Sequence, residues 1–188
     1  GAEIISADSR QIYRYMDIGT AKPTAAERAR VPHHFIDILD PDQEYSAGEF
    51  GIRGREEIES ILSRGRVPLV VGGSGLYVRS LIDGFFDGPP ADPEVRSTIE
   101  RRFAVGGVDV LLEELRRVDP MFASRVDPTK PRRMIRALEV YHVTGVPISQ
   151  LHRDLKVEIP FTPRIFGLGL SKPELHKRIR QRCAMMLR

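Results

Sequence analysis

Val67-Pro68-Leu69-Val70-Val71 runs without a polar residue and stops at Gly72-Gly73-Ser74-Gly75, after which a helical pattern begins near Leu76 and ends before Gly84. A short apolar run bounded by glycines reads as a buried strand, and the glycine turn delivers the chain into the helix. Upstream, Glu3-Ile4-Ile5-Ser6-Ala7 has the same strand character and ends at Asp8. Between the two, Ser46-Ala47-Gly48-Glu49 has the form of a capping box. It opens a helix with apolar positions Phe50, Ile58, Ile61 and Leu62, ending at Gly65. Strand, helix, strand, helix with continuous apolar strands predicts a parallel sheet covered on both faces. Ligands of such sheets sit beyond the carboxyl ends of the strands, and Asp8 and the Gly72–Gly75 turn both lie there.

Further out the pattern changes. Pro23, Pro32 and Pro41 break residues 16–45 into loop, with one short helix near Thr24–Arg30. The stretch Asp87-Gly88-Pro89-Pro90-Ala91-Asp92-Pro93 reads as a boundary, and helices alone follow it. The first has Asp92 as N-cap and Pro93 at its first position. A second covers Val108–Val118, with Leu111, Leu112, Leu115 and Val118 on one face, and a short third covers Met121–Val126. A fourth covers Lys130–Thr144, with Met134, Ile135, Leu138 and Tyr141 inward and Gly145 closing it. Arg164–Leu170 returns to strand character, and Ser171 caps a last helix containing Leu175, Ile179 and Met186. The expected fold class is α/β: a core over residues 1–88, a helical insertion over 89–160, and a return to the core over 161–188.

Composition narrows the class. Of 188 residues 41% are hydrophobic and 29% charged, the balance of a soluble globular chain. No apolar run approaches the roughly 20 residues of a membrane span, and no basic region precedes the short apolar run between Glu3 and Asp8, so no secretory leader is read. The single cysteine, Cys183, excludes an internal disulfide framework and fits a reducing cytoplasm. Charge is unevenly spread. Residues 1–88 hold 10 Lys/Arg against 14 Asp/Glu, while residues 89–188 hold 19 against 12. The second half therefore tolerates a polyanion better, or is an Arg-rich solvated helical surface. His33 and His34 are adjacent and point to opposite sides of an extended chain, a poor metal pair, so structural hydrogen bonding in a loop is expected of them and zinc is not.

Several segments together resemble the tRNA dimethylallyltransferase (tRNA isopentenyltransferase) family: EIISADSRQIYRYMDIGTAKP, VPHHFIDILDP, YSAGEF, VPLVVGGSGLYVRSLIDG, PRRMIRALEVYHVTG and LHKRIRQR. DSRQIY followed by DIGTAKP is the specific signal; GGSGLY alone is weak. The resemblance implies a P-loop kinase-like parallel core with an all-helical insertion that grips tRNA. It also implies a cytoplasmic monomer, magnesium as the ion, and dimethylallyl diphosphate and tRNA as substrates. The family carries a strand and a GPTxSGKT phosphate loop ahead of the EII strand. No stretch from Gly1 onward fits G-x-x-x-x-G-K-[ST], so this stretch by itself is expected to be inactive.

The implied reaction is attack by the exocyclic N6 of the adenosine 3′-adjacent to the anticodon on the first carbon of dimethylallyl diphosphate. The amine must lose a proton as the bond forms, and a carboxylate within reach can take it. Asp8 matches the family's catalytic aspartate; by position alone it could equally cap the following turn. Arg178 and Arg182, four apart on one helix face, match arginines that reach the leaving diphosphate, and are otherwise an exposed basic helix. For tRNA the resemblance implies contacts from Asp8, Ser9, Arg10, Gln11, Ser74, Arg96, Arg132, Arg133, Met134, Ile135 and Arg136. Thr20 and Lys22 lie nearby in sequence without an assignable role. The competing readings are an adenylate dimethylallyltransferase, a non-catalytic RNA-binding module, and a small-metabolite kinase of the same fold.

Overall fold

The computed structural model describes residues 1–84, 88–154 and 158–186. The chain forms two compact units, residues 1–85 with 157–188, and residues 86–156. Of the expected boundary stretch, Asp87 lies outside the described residues.

The first unit holds a three-stranded parallel sheet. Its strands are β1 (Ala2–Ser6), β2 (His33–His34) and β3 (Val67–Val71), in the order β2-β1-β3. Ile4 and Ile5 pair with His33 and His34 on one side, and Ala2 to Ser6 pair with Val67 to Val71 on the other. Three helices of this unit precede the boundary or lie against the sheet: α1 (Ala25–Arg30), α2 (Ala47–Ser63) and α3 (Gly75–Asp83). Thr24 and Glu27 form a reciprocal capping box on α1, and the Ser46 hydroxyl accepts the Glu49 amide on α2. The core joins Ile5, Ala7 and Ile12 to Phe50, Ile58 and Ile61 of α2 and to Tyr77 and Leu81 of α3. Phe50 is fully enclosed and stacks on Tyr77 at 4.3 Å; a buried aromatic of this kind contributes about 3 kcal/mol. The helices approach closely because α2 has glycine where they meet: a Cβ on Gly51 would stand 2.6 Å from the Ser80 carbonyl oxygen.

Four expectations change here. Among the described residues only one face of the sheet is covered, since Val67, Leu69 and Val71 are exposed and only the alternate residues of β3 turn inward. Strand alternation puts those three on one side, and α2 and α3 pack in the core on the other. Leu62 also faces solvent, leaving Phe50, Ile58 and Ile61 as the buried stripe of α2. His33 and His34, expected in a loop, form the third strand. Arg164–Leu170 forms no strand and pairs with no described strand, and Phe166 is 85% exposed. An apolar run becomes a strand only where another backbone meets its N–H and C=O groups. The last helix of the chain, Lys172–Met186, begins as expected with the Leu175 amide on the Ser171 carbonyl, yet buries none of its described side chains.

The second unit is all-helical. Helix α4 (Pro93–Val118) contains both expected first helices, divided at Gly107, whose φ of 68° only glycine adopts freely. Then follow α5 (Pro120–Ala123), α6 (Pro131–Thr144) and α7 (Ile148–Asp154), the last not foreseen; Lys172–Met186 is α8. Gly145 ends α6 in the left-handed conformation, its amide on the Tyr141 carbonyl. Ile99, Leu111 and Leu115 of α4 pack on Met134, Ile135, Leu138 and Val140 of α6. No helix among the described residues is long and apolar enough to cross a membrane.

Candidate functional site

Beyond the carboxyl end of β1 the chain turns at Asp8, and the turn is held by the carboxylate itself. Asp8 Oδ1 accepts the Arg10 amide at 2.8 Å and the Gln11 amide at 3.3 Å. This is the local arrangement in which a short acidic side chain replaces a backbone turn bond. Oδ2 of the half-buried Asp8 accepts no hydrogen bond from the described residues and is left open in that sense. The capping bonds thus engage one oxygen of the carboxylate and not the other. Ser9 and Arg10 are exposed beside it. Gln11 points back into the fold: its amide donates to the Thr20 and Ala21 carbonyls and accepts from the Ser6 hydroxyl. Its side chain therefore braces the turn.

The Gly72 turn meets the same edge. Ala7 donates its amide to Val71 O at 2.8 Å, and Ser74 donates its own to Ala7 O at 3.0 Å. A Cβ at Gly72 would collide with the Ala7 carbonyl group, so only glycine permits this approach one residue from Asp8. Ser74 is the N-cap of α3 but its hydroxyl makes no cap bond. Tyr77, one turn on, was not singled out from the sequence. Burial first, and then the neighbouring Tyr13 and the Asp8 charge, push its phenol up to about 12, so it stays a neutral hydroxyl beside that carboxylate. Its spacing of four from Leu81 reads only as core, and so conceals it.

Elsewhere in this unit, Glu3, His34 and Glu57 place ligand atoms within 4.8 Å of one another. The His34 ring nitrogens face Glu3 at 2.7 Å and Glu57 at 3.2 Å. Arg64 lies 2.8 Å and Arg66 3.4 Å from Glu3. The Arg64 hydrogen bond, then that of His34, hold the Glu3 carboxyl below its ordinary range against the effect of burial. Two guanidinium groups already neutralise the cluster, and magnesium prefers an all-oxygen shell. This group does not suit that ion.

The candidate residues of the helical unit fall into two sets. Arg132 and Arg133 are exposed in the first turn of α6, where the helix terminus also favours anions. Arg136 instead donates to the Pro89 carbonyl at 2.9 Å and to Glu139 at 3.1 Å, and Arg96 lies 3.9 Å from the same Glu139 oxygen and 3.1 Å from Glu100. Glu139, 0% exposed, also accepts the Asp92 amide. It organises both arginines and the start of α4. Met134 and Ile135 are enclosed in the helical core, where their side chains pack and are not presented at the surface. In α8, Arg178 pairs with Glu174 at 3.1 Å and Arg182 is exposed on the same face.

Comparison with known proteins gives a consistent outcome. A family model described as IPP transferase matches residues 11–188. The chain is 44% identical over 186 residues to tRNA dimethylallyltransferase 1 of Syntrophotalea carbinolica, covering 98% of this chain and 59% of that protein. It is 49% identical over 185 residues to the tRNA dimethylallyltransferase of Bifidobacterium longum, covering 98% and 56%. Among solved structures, the full-length tRNA isopentenylpyrophosphate transferase of Bacillus halodurans matches with a TM-score of 0.58 at 40% identity, covering 99% of this chain and 57% of that one. A eukaryotic dimethylallyltransferase acting on tRNA matches with a TM-score of 0.75 at 31% identity, covering 99% and 46%. The chain spans less than two thirds of the length of each of these relatives.

Proposed function

Because this chain belongs to the IPP transferase family, we propose that the protein carrying it transfers a dimethylallyl group from dimethylallyl diphosphate to the exocyclic N6 of the adenosine 3′-adjacent to the anticodon in tRNA. The observation that carries the reading is Asp8: one oxygen fixed by two backbone amides, the other open at the sheet edge. As N6 bonds to the first carbon of the prenyl group, the carbon–oxygen bond to diphosphate breaks and the amine proton passes to the open oxygen. A positioned base of this kind contributes roughly 10²–10⁴-fold. Magnesium, when bound, would offset charge on the departing diphosphate. Arg178 and Arg182 supply positive charge to the same group.

The acceptor reading rests on the helical unit. Arg132 and Arg133 meet tRNA phosphate, while Arg96 and Arg136 shape that surface through Glu139 and present their remaining donors. Phosphate contacts of this sort set affinity and its salt dependence, and the base must be unstacked to reach Asp8. Ser9, Arg10, Gln11 and Ser74 receive it there, with Gln11 acting through the turn it braces. The test uses the protein at full length with prenyl-labelled dimethylallyl diphosphate and either tRNA or AMP. Label is expected in tRNA, on the adenosine next to the anticodon. Label in AMP alone identifies an adenylate prenyltransferase, and label in neither overturns the reading.

A further inference from the structure

Lys22 lies in the GTAKP stretch, a lysine close in sequence to the proposed site. Its surroundings differ from those of a phosphate-binding lysine. Its side chain is 4% exposed. The ammonium has three donors, and three acceptors take them: Tyr13 O at 2.9 Å, Asp17 Oδ1 at 2.7 Å and Asp37 Oδ1 at 2.6 Å. Arg28 closes on the other Asp37 oxygen at 2.7 Å, so two cations and two carboxylates balance. Burial acts to lower the Lys22 pKa, but the Asp17 and Asp37 hydrogen bonds outweigh it and it stands above the ordinary lysine value.

The three acceptors belong to three separate segments. Tyr13 ends the turn that begins at Asp8, its amide on the Arg10 carbonyl. Asp17 lies in the loop whose Thr20 and Ala21 carbonyls receive Gln11, and whose Gly19 amide meets Met186 of α8. Asp37 follows β2, with its amide on the Gln11 carbonyl. The backbone around this junction is strained: Tyr15, Ala21, Phe35 and Asp37 hold φ of 63°, 49°, 63° and 55°. Non-glycine residues remain in that region only where their surroundings over-determine them. Lys22 ties together the segments that carry these residues. It touches Tyr13 and sits next to Ala21, which Gln11 binds; Gln11 in turn donates its amide to Asp8.

We propose that Lys22 is a positioning residue, which acts on the reaction by holding the Asp8–Tyr13 turn rigid and meets no substrate phosphate. The kinetic half of this rests on the prenyl-transfer reading; the structural half does not. Lys22→Met leaves Asp17 and Asp37 without their shared cation and the Tyr13 carbonyl without a donor. In the full-length protein, amide hydrogen exchange over residues 8–14 is expected to quicken by about tenfold or more, while α2 keeps its protection. With wild-type turnover established, kcat should fall by about tenfold or more with KM for tRNA nearly unchanged, since small misplacement costs rate before affinity. Lys22→Arg should recover part of both. Asp17→Asn, which removes one outer partner, gives a smaller change in the same direction and serves where Lys22→Met does not fold. Unaltered exchange over residues 8–14 in the variants overturns the proposal whatever the activity. So does an unchanged kcat with raised KM for either substrate and a shallower salt dependence, which would put Lys22 on phosphate. A wild-type protein without transfer activity would instead count against the prenyl-transfer reading, and the exchange result would still decide for or against the turn.

Discussion

Lys22 in the α/β unit and Arg133 in the helical unit carry the same charge under opposite conditions. Lys22 is enclosed and every donor is taken. Arg133 is exposed at a helix start, and no side-chain hydrogen bond or ion pair engages it among the described residues. An anion arriving from solvent can be met by the second but not by the first without dismantling a junction. The same division runs through the helical unit, where Arg136 and Arg96 serve Glu139 while Arg132 and Arg133 stay available. Proximity of a cation to a site in sequence thus says little about its role; the count of its occupied donors says more.

The largest effect that would sharpen this division comes from Glu139→Ala. It strips the buried acceptor from Arg136, Arg96 and the Asp92 amide, and breaking such a pair costs about 3–5 kcal/mol when fully buried. Both arginines are partly exposed and regain water, so a loss of about 2 kcal/mol is expected in chemical denaturation. An unchanged midpoint would move Arg96 and Arg136 into the available set. Next comes the response to acid. The Glu3 carboxyl is depressed in the fold by Arg64 and His34, so its stabilisation is complete above the unfolded value near 4.5 and is lost as pH falls through the folded one. Thermal midpoints at pH 7 and at pH 4 should differ less in Glu3→Gln than in the wild type, and equal differences would remove Glu3 from the acid response. The smallest effect is Arg133→Ala, which should weaken tRNA binding modestly and reduce the slope of log K against log salt by about 0.7–0.9. A full slope would place Arg133 with the partnered cations.

What the sequence discloses follows from how local each signal is. The end of β1 just ahead of the Asp8 turn, the Ser46 cap of α2 and the Gly145 stop of α6 depend on neighbouring residues alone, and the structure shows each within two residues of where its pattern puts it. Strand β2 is two residues long and is made by pairing with β1, so no alternation announces it. The apolar runs at Val67–Val71 and Arg164–Leu170 read alike, yet only the first has a partner strand in the structure. Hydropathy specifies that a side chain favours burial, not which surface arrives to bury it. At the site, Asp8 is legible as a turn residue beyond a strand. Its division into one engaged and one open oxygen requires the Arg10 and Gln11 amides in place. The Lys22 junction spans Tyr13 to Asp37, and a bond between loops so separated leaves no periodic trace.

The open oxygen of Asp8 is the point on which the chemistry turns, and single-turnover transfer by Asp8→Asn in the full-length protein addresses it directly. Asparagine keeps an oxygen for the Arg10 and Gln11 amides but cannot accept the amine proton. The transfer step should slow by about 10²–10⁴-fold, with the affinity for tRNA close to that of the wild type. Transfer at a rate near that of the wild type would contradict the assignment of Asp8 as the base.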